Sequence, residues 1–242
     1  MFRKIVVVFF LAIFCLTSCK HKIVQQLPSN FVEVPIPEYE SDDWRQLNYT
    51  QNEIVVENHN GQAIIKLLDK NQVKGDTCRL IVPDGILLGV DHGEWRGSLT
   101  YVPNKKDATQ TKIVDGNIHS IFYFQDKIYF TEGLAHLMES QGGLYLLESN
   151  DDKFIPHLVA NLEDEPEAIS VCHDKIIIAT FENLYIIRDA KKELIFSKTF
   201  WNSLYPNSIA YIDDQNIFIG MRGGYAKVNL INKKLRFFKY IR

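Results

Sequence analysis

What this sequence lacks narrows its possibilities first. No apolar run is long enough to cross a bilayer: the most extended one, Ile5 to Leu16, falls short of the roughly 20 residues a spanning helix needs. Cysteine is scarce, four in 242 residues, and no Cys-x-x-Cys or Cys/His spacing encodes a structural zinc site. A basic excess is missing too. The formal net charge is −3, which argues against nucleic acid as a partner. There is no Gly-x-Ser-x-Gly elbow, no His-Glu-x-x-His and no phosphate loop, so an enzyme built on this chain would gather its residues from distant segments. Helical periodicity of the apolar residues is nearly absent, which leaves β structure to bury them.

What is present begins with Met1-Phe2-Arg3-Lys4 and the short apolar run, the charged and hydrophobic regions of an export signal. The run ends in Leu16-Thr17-Ser18-Cys19, a bulky aliphatic residue, two small ones and a cysteine. This resembles the lipobox of exported bacterial lipoproteins. The expectation is a signal peptide of residues 1–18 and a Cys19 carrying diacylglycerol and palmitate-like chains, each buried CH₂ contributing about 0.8 kcal/mol to holding the chain on a membrane. Loss of Arg3 and Lys4 would move the charge to about −5. Lys20-His21-Lys22 contains no acidic export tract, so a periplasm-facing anchor in the cell envelope is expected. Residues 19–40 include Pro28, Pro35 and Pro37 with little periodicity and read as a tether. Residues 41–242 suffice for one domain. Cys15 would leave with the signal; Cys78 and Cys172 remain, either as a disulfide or as two small buried apolar side chains.

Four segments of the body share one plan. Asp84-Gly85-Ile86-Leu87-Leu88 is echoed by Asp126-Lys127-Ile128-Tyr129-Phe130, by Asp174-Lys175-Ile176-Ile177-Ile178 and by Asp214-Gln215-Asn216-Ile217-Phe218. Each is a polar turn opening into a β-rich strand, and the isoleucines recur at intervals of about 40 to 50 residues, the length of a propeller blade. Another strand precedes each turn: Cys78 to Val82, His119 to Phe124, Ala168 to Cys172 and Ser208 to Ile212. A third follows, starting at Gly97, Gly143, Asn183 and Gly224, and a fourth lies beyond it, as at Glu193 to Lys198 and Lys234 to Tyr240. Upstream, Trp44 to Tyr49, Asn52 to Glu57 and Gln62 to Leu68 read as three strands of an irregular N-terminal blade, completed by a strand from the far end of the chain. The expected fold is all-β: a β-propeller of five blades, each of four antiparallel strands.

In such a fold the loop between the second and third strands shares a face with the loop leading into the next unit. That topology gathers Glu94, Trp95, Glu132, His136, Tyr205, Asn207 and Arg222 near one opening as candidate ligand-binding residues. Each also has a structural reading: Glu94 with Arg222 as a salt bridge between blades, Asn207 bonding its own turn, His136 packed within a single helical turn, and Trp95 covering the channel.

The motifs Gly93-Glu94-Trp95-Arg96-Gly97-Ser98-Leu99, Glu132-Gly133-Leu134-Ala135-His136-Leu137, Leu204-Tyr205-Pro206-Asn207-Ser208 and Gly220-Met221-Arg222 resemble a family of exported bacterial propeller-like proteins. The resemblance runs from about Asp84 to the C-terminus. It implies the fold and the grouping of these loops, and it implies no reaction. Members have further glycines after the Gly-Glu-Trp triplet where this chain has Arg96, which implies a more polar opening here.

Three functions follow as expectations. The first is a non-catalytic propeller that binds a small molecule, glycan or envelope protein at the channel mouth. The second is a lactonase- or glycosidase-like hydrolase using Glu94 and Glu132 as paired carboxylates, with His136 moving protons and Arg222 holding an anionic group; in a variant of it, Ca²⁺ is the cofactor and Asn207 an oxygen ligand. The third is a receptor or toxin-neutralising lipoprotein that presents Glu163, Asp164, Glu165 and Glu167 to a protein partner.

Overall fold

The computed structural model describes residues 29–68, 76–137, 139–150 and 153–241. The expected signal peptide and Cys19 lie outside these described residues. Among the described residues no helix is long and apolar enough to cross a membrane.

Strands dominate, and they meander. β4 (Thr77–Val82), β5 (Gly85–Val90), β6 (Ser98–Pro103) and β7 (Thr111–Asp115) pair in sequence order as one antiparallel sheet. β8 (Ile118–Phe124), β9 (Lys127–His136), β10 (Glu139–Asn150) and β11 (Lys153–Asn161) form the next, and β12 (Pro166–Val171), β13 (Ile176–Thr180), β14 (Leu184–Arg188) and β15 (Lys191–Phe196) the third. β16 (Ser208–Asp213), β17 (Asn216–Met221), β18 (Gly224–Asn229) and β19 (Lys234–Tyr240) form the fourth, to which β1 (Phe31–Val34) adds a fifth strand beside β19. β2 (Ile54–His59) and β3 (Gln62–Leu67) make a separate hairpin. Tight reversals hold the meander: Gln125 and Asp126 between β8 and β9 both adopt positive φ, as do Asp189 and Ala190 between β14 and β15, the twist that suits a two-residue hairpin.

The sheets stack face to face, and the strand sequences show why. Ile177 and Ala179 of β13 pack with Ile217 and Ile219 of β17 in one core cluster, while Ile176 and Ile178 point the other way to Leu144 and Phe124. A strand covered on both faces needs apolar residues at every position rather than at alternate ones, and all of β13 is buried. Leu87 and Leu99 pack with Ile118, Ile121 and Phe130 between the first two four-stranded sheets. Ile54 and Val56 of β2 pack with Ala210, Phe218 and Tyr225 of the last sheet. First strands of successive units lie side by side: β4 by β8, β8 by β12, β12 by β16, and β16 by β2. The fold is thus all-β and propeller-like, a series of four-stranded antiparallel sheets.

Five expectations need correction. Residues Trp44 to Tyr49 are not a strand: Asp42–Asn48 forms helix α1. Ser41 caps it, its Oγ accepting from the Trp44 amide at 3.2 Å, with Asp42 and Asp43 in the first turn, and Trp44 and Leu47 present a buried face one turn apart. His136 is not in a helical turn but ends β9, opposite Glu139 in a long hairpin whose reversal includes Leu137 at φ 55°. Among the described residues the β2–β3 hairpin gains no strand from the chain's far end; the exchange runs the other way, with β1 pairing Phe31 to Tyr240 and Val34 to Phe237. The span 19–40 is therefore not linker throughout, because Phe31 is buried against Tyr225 and Tyr240. Cys78 in β4 and Cys172 just after β12 are half-buried and form no disulfide with each other, so that reading does not hold.

Candidate functional site

One cavity of about 420 Å³ takes its lining from all five sheet units: Asn52, Val55 and Leu68 from the hairpin unit; Asp76, Thr77 and Asp91; Ile118 and His119; Glu165 and Glu167; and Tyr205, Pro206 and Asn207 ahead of β16. Its chemistry concentrates at Asp91, His119 and Glu165. His119, 8 % exposed at the start of β8, lies between two carboxylates: Nδ1 is 3.5 Å from Asp91 Oδ2 and Nε2 is 3.3 Å from Glu165 Oε1. Nε2 is also 3.1 Å from the Gly133 carbonyl oxygen, and a carbonyl only accepts, so that bond places a hydrogen on Nε2.

Each member is held by its own local structure. The second Asp91 oxygen accepts from the Gly93 amide at 2.8 Å. The loop behind it is fastened by buried Asn117, whose Oδ1 accepts from the amides of His92 (3.2 Å) and Gly97 (2.8 Å) while Nδ2 donates to the Gly93 carbonyl (2.7 Å). Gly97 has no room for a Cβ, which would meet the Val90 carbonyl oxygen at 1.7 Å. Glu165 is fixed by the β9–β10 hairpin: Oε2 accepts from the Ala135 amide at 3.1 Å, and the Glu165 amide donates to Ser140 Oγ at 3.0 Å. The extra length of that hairpin thus supplies Gly133, Ala135 and Ser140 to orient His119 and Glu165. One ligand atom from each of Asp91, His119 and Glu165 lies within 4.8 Å of the others, so these three are the group among the described residues able to hold a metal ion.

The residues expected from the sequence divide into separate groups. Tyr205 and Asn207 line the cavity. Glu94 and His136 meet elsewhere, Oε2 to Nε2 at 3.5 Å, both well exposed, and Trp95 stands out at 81 % exposure beside them in the turn Gly93–Trp95 rather than covering a channel. Glu132 is half-buried; burial pushes its carboxyl above the usual range, and the Arg96 charge only partly offsets this. It lies against Gly116, where a Cβ would come within 2.7 Å of Glu132 Cγ. Arg222 forms no bridge to Glu94. Its Nη1 donates to the carbonyl oxygen (3.0 Å) and Oδ1 (2.8 Å) of Asn48, closing the C-terminus of α1, and its guanidinium stacks 4.3 Å from the Tyr205 ring centre. Asn207 bonds across units rather than within its own turn alone: Nδ2 donates to Asn52 Oδ1 at 2.7 Å, while Oδ1 accepts from Ser208 Oγ, which itself accepts from the Val56 amide.

The acidic run does not form one surface. Glu163 is exposed and paired with Lys192; Asp164 is buried, accepting from Thr180 Oγ1 and the Glu182 amide; Glu165 and Glu167 line the cavity. Burial pushes the Asp164 carboxyl up against the lowering effect of those hydrogen bonds.

No family model matches the chain, and no curated protein matches it. Among solved structures, the N-terminal domain of Nup159 aligns with 90% of this chain and 67% of that chain, at 8% identity and a TM-score of 0.38. An S. cerevisiae assembly of a Dbp5 variant bound to Nup159, a Gle1 variant, IP6 and ADP aligns with 77% of this chain and 65% of that chain, at 7% identity and a TM-score of 0.29. Similarity this low carries nothing about what the chain does. The class rests on its own sheets: a propeller-like protein of repeated antiparallel units with a cavity of mixed apolar and polar lining where they converge.

Proposed function

We propose that this chain is a bacterial envelope lipoprotein, anchored through Cys19 and facing the periplasm, whose sheet units close into a five-bladed propeller with β2–β3 as the reduced blade. Its activity on this reading is recognition of a polar small molecule or glycan at the channel mouth. The observation that carries it is the cavity shared by all five units, whose volume falls within the range of ligand sites and whose wall mixes Ile118 and Val55 with Asp91, His119, Glu165 and Asn207. An exposed Tyr205 ring at the rim, backed by Arg222, offers a flat face of the kind on which sugar rings stack.

Thermal-shift titration of the full chain in detergent with purified muropeptides tests the recognition. A muropeptide at 100 times its dissociation constant adds about 2.7 kcal/mol of stability. The expected result is a saturable rise in Tm that Tyr205→Ala abolishes without altering the far-ultraviolet circular dichroism. No shift, or an equal shift in the variant, overturns it. The anchor is tested separately by labelling cells with a palmitate analogue, which Cys19→Ala should prevent; equal labelling contradicts it.

Glu132 favours hydrolysis as a second reading, since a carboxyl raised by burial is suited to act as a general acid. Hydrolysis of chromogenic lactones or glycosides that Glu132→Gln removes supports that reading; activity unchanged in the variant refutes it.

A further inference from the structure

We infer that Asp91, His119 and Glu165 form a binding site for one divalent transition-metal ion of the zinc or manganese type. The inference rests on the cavity of the proposed function and is independent of the lipid anchor.

Three features of the trio carry it. The first is convergence. Carboxylates from two other units meet a nearly buried imidazole on the pocket wall, His119 being only 8 % exposed, with one ligand atom of each within 4.8 Å of the others. The second is donor type. An imidazole nitrogen with two carboxylate oxygens suits zinc or manganese, whereas Ca²⁺ takes oxygen ligands throughout. The third is the surrounding hydrogen bonding. The Nε2 bond to the Gly133 carbonyl fixes the tautomer and leaves the Nδ1 lone pair turned to Asp91 Oδ2, 3.5 Å away. Metal-bound histidines are oriented in this way, by donating the other ring nitrogen to a carbonyl or carboxylate. The Gly93 amide on Asp91 and the Ala135 amide on Glu165 hold the two carboxylates similarly.

The spacing is compatible. Ligands at about 2.0–2.2 Å from a tetrahedral zinc lie roughly 3.3–3.6 Å apart. The trio's mutual 4.8 Å closes to that edge by rotation of the 31 % exposed Asp91 carboxyl about its Gly93 contact and by Glu165 Oε1, which stands 3.3 Å from Nε2, turning toward the Nδ1 side while Oε2 keeps the Ala135 amide. The competing occupant is a proton: an imidazolium donating from both nitrogens to Asp91 and Glu165 would hold the same three residues together with no ion. In the metal-bound form the remaining coordination positions face the cavity, within reach of a ligand lying against Tyr205 and Asn207.

The test is calorimetric titration of the full chain in detergent, stripped with a chelator and dialysed, with ZnCl₂, MnCl₂ and CaCl₂ in turn. Wild type should take up one equivalent of Zn²⁺ or Mn²⁺ in preference to Ca²⁺. Asp91→Asn and His119→Gln should each weaken binding at least about tenfold. Since His119 is buried and its replacement could disturb folding, Asp91→Asn, close in shape and partly exposed, gives the decisive comparison once circular dichroism matches wild type. No uptake, preference for Ca²⁺, or affinity unchanged in Asp91→Asn overturns the inference. Metal uptake with no muropeptide shift leaves the metal site standing and removes the ligand reading; a muropeptide shift with no uptake does the reverse.

Discussion

A buried ammonium is tolerated only when partners replace the water it gave up, and Lys175 shows how this is arranged at a repeated turn. Its side chain is 3 % exposed, and Nζ donates to Asp214 Oδ1 at 2.6 Å, an oxygen that also accepts from the Tyr211 hydroxyl at 3.0 Å. Burial pulls the ammonium down, but the bonds to Asp214 and Tyr211 outweigh it and leave it above its ordinary value; the Lys175 hydrogen bond holds the Asp214 carboxyl below 3.8. A depressed acid stabilises the fold above its unfolded value, and the benefit is lost as pH falls through the lower folded value. Asp214→Asn should therefore cost about 1–2 kcal/mol near neutrality, discounted because Asp214 is 45 % exposed, and the gap to wild type should close below pH 3.8. Urea unfolding at pH 7 and pH 3 measures this; a gap that stays constant would contradict the ion pair. At the same scale, the candidate site was half legible. The sequence points to Tyr205 and Asn207 of the cavity but singles out none of the trio: Asp91 is no candidate, Glu165 reads as part of an acidic surface, and nothing in Ile118-His119-Ser120-Ile121 separates His119 from an ordinary strand residue. Its role comes from carboxylates on two other units, which no local spacing encodes.

Elements were legible where the signal is local and obscure where it is not. The second strands Ile86, Ile128, Ile176 and Ile217 sit where the repeat puts them, because a polar turn followed by β-branched residues specifies strand without help from elsewhere. Helix α1 carried a readable start in Ser41-Asp42-Asp43, but with only seven residues it has too few turns to show a period. The pairing of β1 with β19 joins the two ends of the described chain, and Phe31-Val32-Glu33-Val34 gives no hint of its partner. Its consequence is protective: β19 would otherwise be the edge of the last sheet, and β1 covers it, with Glu33 paired to Arg236 across the seam. Phe31→Ala should cost about 3 kcal/mol in urea unfolding and speed amide exchange along the β1-facing side of β19. A loss below about 1 kcal/mol would mean that this strand is loosely attached, as a tether would be.

For the whole molecule, stability and the cavity share one origin. Each apolar core lies between successive sheets, so no unit buries its own faces alone, and the polar ends of the first strands are left to converge. In the proposed ring the hairpin unit would meet β4, and Val55 and Thr77 line the same cavity. Cross-linking tests that closure directly. In a chain whose four native cysteines are replaced by alanine, Val55→Cys with Thr77→Cys should be joined within one molecule by a short bifunctional maleimide, as efficiently as the control pair Glu33→Cys with Arg236→Cys, whose native side chains form an exposed ion pair between β1 and β19. A control pair that links while Val55 and Thr77 do not would contradict a closed ring and, with it, a cavity shared by all five units.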